Sequence, residues 1–573
     1  MVKQMKLLVL IGVDLLDTVK RVKDTRRQIA TLSRTFFAQD VLHNNSNKFH
    51  VPLEILFNYI GKLQQLERDG SIFQHYGDVF NGETMDSAGD MGTETPRFSL
   101  FEITAVIIKD QLHVSFTYNR NMHHQARIQT WMAECKRVLE IDMPNLRKVT
   151  PEPTLNDYPL LPITYDGLKD IIENTLPRLN ISQWDQVEDI YPCSPIQEGI
   201  LLSQLRDPHE YIFNVIFEMR CFGENNIDLT KLRNAWSMVV ARHPILRTAF
   251  VDSSCKGESF DQIVVKRVRE TIVEIECDDS SALSKLDTIS LQDSDRSTKL
   301  YHQLVFCKTS TGRVLVKFEL NHLIVDGGSF SILMRELALA YSNQLPLGPG
   351  PLFSDYIKYL RGESSVQALE YWKKRLAGAR PCHLPVATGK NGARQLGTRM
   401  VPFYRFAELQ RFCETNSITL ANLILAVWAI FLRSYTQSDD VCFGYPSTGR
   451  DLPVSGIQDA VGIFINNICC RVKFQSGQTL LGLSKSVQDD HIKSLAYQHA
   501  SLAEIQHALG RQSKPLFNTC ISIQNHSADK VEISGITYEF QKAHDPCEVS
   551  SINNTSYACI LTSKILVPPY CQC

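Results

Sequence analysis

Apolar and polar positions alternate with a period of two in two separate pairs of segments. Each pair is followed by apolar positions that recur every three or four residues. In the first, residues 101–108 and 112–118 read as strands joined through Lys109-Asp110-Gln111, and Leu112, Val114, Phe116 and Tyr118 alternate with polar neighbours. That is a hairpin pattern. Ile128, Trp131, Met132, Cys135, Val138 and Leu139 then trace one face of an amphipathic helix. In the second, residues 304–306 and 313–320 predict a hairpin turning at Thr311-Gly312, where Val314, Val316, Phe318 and Leu320 alternate with Arg313, Lys317 and Glu319. A loop over 321–328 follows, and Ser329 stands where it can cap a helix carrying Phe330, Leu333, Leu337 and Tyr341 on one face. An apolar run at 53–60 and a helix at 232–242, with Leu232, Trp236, Val239 and Val240 on one side, complete the strong signals.

Between the two patterns the chain carries Pro151, Pro153, Pro159 and Pro162. Proline at that density sustains neither a helix nor a central strand, so a linker is expected, then a short helix at 165–176. A larger unit starts near Val187. Leu56-Phe57-Asn58 recurs as Leu516-Phe517-Asn518, a weak internal repeat. The fold class read from this mixture is α/β with mixed sheets.

Composition narrows the function. The 573 residues are 43 % hydrophobic and 21 % charged, with a formal net charge of −2. There is apolar material for several cores, and no basic footprint for nucleic acid. Sixteen cysteines, none spaced C-x-x-C, suggest neither a disulfide scaffold nor a zinc ribbon. Vicinal Cys469–Cys470 in an apolar run reads as buried thiols, and the compartment as reducing and cytoplasmic. Residues 7–13 after Lys3 and Lys6 faintly resemble a signal peptide but stop after seven residues; a buried segment is expected. No stretch approaches the ~18 apolar residues of a membrane span. No phosphate loop or serine-hydrolase elbow is found.

The chemistry concentrates in Asn321-His322-Leu323-Ile324-Val325-Asp326-Gly327-Gly328. A histidine leaves a strand end, an aspartate follows four residues on, and glycines precede a helix. An imidazole there can reach a cleft and act on a proton, or simply be hydrogen-bonded in a turn. The aspartate is better suited to bracing the loop than to reacting.

Further segments give this loop a context. Tyr191–Gly199 (YPCSPIQEG), Arg242–Phe250 (RHPILRTAF), Asn321–Gly327, Ser354-Asp355-Tyr356, Val461–Asn466 (VGIFIN), Tyr497-Gln498-His499 and Lys514–Asn518 (KPLFN) resemble, in order, the motifs of the condensation domain of nonribosomal peptide synthetases. Residues 1–150, through Arg21–Arg27 (RVKDTRR) and 51–61 (VPLEILFNYIG), resemble the C-terminal half of an epimerization domain. The resemblance implies a chloramphenicol-acetyltransferase-like fold of two lobes. It divides the chain into a partial epimerization domain at 1–150, a linker at 151–186, an N-terminal lobe at 187–365, an incomplete C-terminal lobe at 366–548 and a tail outside the family at 549–573. The epimerase's own histidine motif is expected upstream of Met1; His123-His124 is no substitute, because Ile128 stands where the aspartate should be.

Carried over residue by residue, the resemblance implies that His322 sits between the lobes where an acceptor amine meets a donor thioester. Asp326 holds the loop, and Arg450 is either its ion-pair partner from the other lobe or an exposed loop arginine. Gly327 allows close approach to its backbone N–H. Arg242 is expected to contact the active-site loop as well. Asn466 either lines the tunnel or is a buried, hydrogen-bonded asparagine. Asn321 replaces the first histidine of the family's pair. No cofactor or metal is implied. Substrates arrive on the phosphopantetheine arms of carrier domains, with adenylation domains elsewhere as partners, and the upstream remnant favours a D-configured donor. Other readings are a coenzyme A-dependent acyltransferase of the same fold and a non-catalytic fragment.

Overall fold

The computed structural model describes residues 15–27, 53–62, 99–142 and 148–562, apart from 291–299, 385–404, 512–515, 525–529, 545–557 and breaks of one to three residues. The apolar segment at 7–13, Lys109 of the first turn and Lys514-Pro515 lie outside them. The described chain divides into two units, 1–156 and 157–573.

In the first unit residues 15–27 are helical, so RVKDTRR lies on a helix. Asp24 is buried, and its carboxylate accepts the Asn156 N–H at 3.1 Å. Strands β1 (Leu53–Lys62) and β2 (Ser99–Ile108) pair in parallel, and β2 turns back into β3 (Gln111–Tyr118). Asp110 takes the positive φ that the tight turn demands. Helix Gln125–Arg137 puts Trp131 edge-on against Phe101 and Phe116, closing a small core. These are the elements the alternation predicts.

In the second unit the proline stretch gives way to helical residues from Tyr165 to Arg178, opened by a Thr164 cap. Among the described residues nine strands then build a small sheet and a large one. The small sheet joins β4 (Val187–Pro192), β7 (Phe260–Val265) and β6 (Thr248–Asp252). The large one has six strands in the order β14-β15-β5-β10-β9-β8: Lys530–Ile533, Ile536–His544, Ile212–Cys221, Val314–Asn321, His302–Thr309 and Ile272–Cys277. Helices Leu229–Arg242 and Gly327–Tyr341 cover one face, with Trp236, Leu333 and Leu337 buried against Phe306 and Phe318. A third sheet, β12 (Asn466–Lys473), β11 (Asp440–Ser447), β13 (Cys520–Gln524) and β16 (Ala558–Thr562), packs around a second core with Trp372, Phe443 and Phe517.

Four expectations need correcting. Residues 366–548 are not all in the second lobe: β14 and β15 cross back and pair with β5, covering an otherwise open sheet edge. Val461, Ile463 and Phe464 likewise join the first core. Past 548, Ala558–Thr562 adds a strand antiparallel to β13, so the tail contributes to the third sheet. β10 is buried on both faces, because Lys317 reaches the carbonyls of Leu286 and Ile289 and pairs with buried Glu319 at 3.1 Å. Finally, Asp326 rather than Ser329 caps the following helix, which starts at Gly327: a short carboxylate reaches the N–H three residues on.

Candidate active site

The site is built where β10 runs out. Asn321, its last residue, is buried; its side-chain Oδ1 accepts the Leu323 N–H at 2.9 Å and so shapes the turn. The His322 backbone N–H donates to the Tyr211 carbonyl at 2.8 Å. The ring is half-buried and stacked on Phe213, with centroids 4.7 Å apart. Its Nδ1 lies 3.1 Å from the Val325 carbonyl. A carbonyl only accepts, so this bond holds a proton on Nδ1, and whenever the ring is neutral its lone pair is on Nε2.

Asp326 fastens the other end of the loop. Its Oδ1 accepts the Ser329 N–H at 2.7 Å and its Oδ2 the Phe464 N–H at 2.9 Å. Arg450 places Nη2 3.3 Å from Asp326 Oδ1. The same guanidinium donates to Ser329 Oγ at 2.8 Å and to the carbonyls of Ile457 at 2.6 Å and Ala460 at 3.0 Å, and it lies over the Phe464 ring. Ser329 Oγ also donates to the Gly462 carbonyl at 2.6 Å and accepts its N–H at 3.1 Å. Asp326, Ser329 and Arg450 are all buried. A buried ion pair offsets its desolvation only when its remaining hydrogen-bonding groups are satisfied, and here both Arg450 Nη groups and both Asp326 oxygens are engaged. Of the two readings of Arg450, the paired one matches its position.

The glycines differ in kind. A Cβ on Gly328 would sit 2.9 Å from Arg450 Nε, so this residue is small to admit the clamp. A Cβ on Gly327 would meet nothing within 4 Å, and the residue is exposed. The fold therefore leaves open space beside its backbone.

Arg242 and Asn466 are each held by partners outside the loop. Arg242 ends its helix and donates to Glu336 at 3.3 Å and to the carbonyls of Pro346 at 3.1 Å and Gly348 at 2.7 Å. Glu336 is roughly 14 Å along the helix from Gly327, so Arg242 braces that helix rather than the loop. Burial pushes the Glu336 carboxyl up, but the His243 hydrogen bond and the Arg242 charge outweigh it and leave the carboxyl below its usual range. The Asn466 amide donates to the carbonyls of Gln498 and Ala500, both at 2.8 Å, tying β12 to the neighbouring turn. Sequence reasoning missed Gln197, Phe213, Ser329 and Phe464. Gln197 and Phe464 lie inside recognised motifs, but nothing in their spacing shows which atoms they reach. Among the described residues no group of His, Cys, Asp and Glu is arranged to hold a metal.

Comparison with known proteins follows the same lines. Residues 187–565 match the family described as Condensation domain. The chain is 70 % identical over 541 residues to nonribosomal peptide synthetase nlsA of Emericella nidulans, covering 94 % of this chain and 9 % of that protein. It is 57 % identical over 545 residues to nonribosomal peptide synthetase 1 of Aspergillus fumigatus, with the same coverage of 94 % and 9 %. The chain thus spans about a tenth of the length of these relatives. Among solved structures, the condensation domain of the monacolin K polyketide synthase MokA superposes with a TM-score of 0.50 at 19 % identity, covering 63 % of this chain and 86 % of that one. The starter condensation domain of rhizomide synthetase RzmA, in a variant bound to C8-CoA, gives 0.51 at 17 %, covering 62 % and 82 %. The family match continues past 548, into the stretch that holds β16. The chain belongs to the condensation-domain family, whose members in nonribosomal peptide synthetases form peptide bonds.

Proposed function

We propose that this chain joins two substrates, each held as a thioester on the phosphopantetheine arm of a carrier domain. The acceptor's amino nitrogen attacks the donor carbonyl carbon. A C–N bond forms, the C–S bond breaks, and the amine proton ends on the departing thiol sulfur. His322 presents Nε2 to the attacking N–H. Taking the proton and orienting the nitrogen both need that atom to be the acceptor. Gly327 leaves room for a substrate to approach its backbone N–H. Asp326 and Arg450 hold the loop. The observation that carries this reading is the Nδ1–H bond of His322 to Val325 on a loop clamped by Asp326 and Arg450.

Residues 1–150 are read as the C-terminal lobe of an epimerization domain, which makes a D-configured donor the preferred one. Carrier and adenylation domains are the partners. The compartment in this reading is reducing and cytoplasmic.

The test supplies donor and acceptor thioesters on separate carrier proteins. His322→Ala should slow product formation by about 10²–10⁴-fold, the range of general acid–base help. A D-terminated donor should outpace its L counterpart. Wild-type turnover by His322→Ala would remove the assignment. Equal rates with free coenzyme A thioesters would point to a soluble-thioester acyltransferase instead.

A further inference from the structure

Gln197 lies on the helix Pro195–Gln204, far from His322 in sequence, and is fully buried. All polar atoms of its side chain are engaged. Its Oε1 accepts the Ser194 N–H at 2.9 Å, while Ser194 Oγ accepts the Gln197 N–H in return. Its Nε2 donates twice, to Gln262 Oε1 at 3.0 Å and to the Leu323 carbonyl at 2.9 Å. Gln262, also buried, passes its own amide on to the Pro192 carbonyl at 3.1 Å. Gln197 thus bolts the Leu323 carbonyl to β7 directly and, through Gln262, to the end of β4.

The place of that bolt matters. The loop is held before the histidine by the Tyr211 and Tyr301 carbonyls, and after it by Asp326. The Val325 carbonyl, which holds the proton on Nδ1, lies on the arc between. Its direction follows from the peptides at 323 and 324. We propose that Gln197 is a positioning residue for His322: it fixes this arc so that the ring stays in the tautomer and orientation that aim Nε2 at the acceptor amine. The proposal rests on the condensation reading for its kinetic consequence but not for its structural one.

The test uses the full chain and two variants. Gln197→Leu removes the amide at similar volume. Gln197→Glu keeps the shape but sets a carboxylate oxygen against the Leu323 carbonyl. Misplacing a reacting group by about 1 Å can cost ~10²-fold. Gln197→Leu should therefore lower kcat by about 10–100-fold with KM changed less than about twofold. Gln197→Glu should show the same deficit at pH 8, and its rate relative to wild type should recover as pH falls, because a protonated carboxyl again donates to Leu323. A residue that served only folding would give no such pH-dependent ratio. Independently of turnover, the Nδ1–H proton of His322, identified by ¹⁵N-histidine labelling and its loss in His322→Ala, should exchange with solvent at least tenfold faster in Gln197→Leu. If the wild type forms no peptide, the condensation reading fails, and this exchange rate alone decides the positioning role. Wild-type kcat in Gln197→Leu, a pH-independent ratio in Gln197→Glu, or unchanged exchange would each overturn the proposal.

Discussion

Twice in this chain a hairpin strand runs through a histidine into a helix, and the two junctions end in opposite states. β3 ends at Tyr118, His123 and His124 follow, and helix Gln125–Arg137 begins. Both histidines are exposed, and His124 sits at the N-cap with φ 68° and no side-chain cap bond. β10 ends at Asn321, His322 follows, and there the loop is bonded at nearly every residue. The decisive residue stands four positions on. Asp326 is a carboxylate that a segment more than a hundred residues on, through Arg450 and Phe464, can grip. Ile128 is apolar and buries itself in the core of its own unit. The difference teaches that a histidine at a strand end becomes an instrument only when something outside its hairpin holds the loop.

The largest contrast should appear in turnover. His322→Ala should lose about 10²–10⁴-fold in rate, while His123→Ala and His124→Ala should lose nothing measurable in the same carrier-based assay. A loss at His124 would break the comparison. Next comes stability. Asp326→Ala leaves the buried Arg450 cation without its carboxylate, which should cost about 3–5 kcal/mol in denaturant titrations. An exposed change such as His124→Ala should stay within about 0.5 kcal/mol. An Asp326→Ala protein as stable as wild type would mean the clamp is decorative.

A third contrast lies in acid. His302, on β9 beside β10, is wholly buried, and desolvation lowers its pKa to about 4, although its bond to the Leu246 carbonyl opposes this. In the unfolded chain a histidine titrates near 6.5. Between those values the unfolded state binds the extra proton. His302 therefore contributes stability above pH ~6.5 that is lost as pH falls towards 4, about 3 kcal/mol in all. His302→Gln, which can still donate to Leu246, should flatten that slope in pH-dependent melts. An unchanged slope would locate the acid sensitivity elsewhere. The smallest effect separates the glycines. Gly328→Ala should cost about 1–3 kcal/mol by crowding Arg450. Gly327→Ala should leave the melting temperature alone and affect only turnover.

Local elements were legible in the sequence because period-two and period-3.6 patterns are written in neighbouring residues. Both hairpins, the helices after them and the His322–Asp326 spacing were readable in this way. What stayed hidden depends on partners distant in sequence. Lys317 and Glu319 look like a solvent face, yet the backbone at 286–289 covers them. Arg242 looks like a neighbour of the loop, but buried Glu336 and the carbonyls of Pro346 and Gly348 draw it away. Ser329 looks like a cap, but Asp326 takes that post and frees the hydroxyl for Gly462. Gln197 gives no sign of reaching Leu323, because no pattern encodes a contact between segments more than a hundred residues apart.

The crossover of β15 onto β5 sets a timetable. β5 is finished at Cys221, but the strand that covers its edge is not complete until His544, roughly 300 residues later. At synthesis rates of about 5–20 residues per second, that edge waits on the order of 15–60 s on the ribosome. An exposed edge is a template for wrong pairing. The nascent chain would be most prone to aggregation and most in need of chaperones in that interval, and a ribosome stalled anywhere between the two strands would hold a first lobe with its β5 edge open.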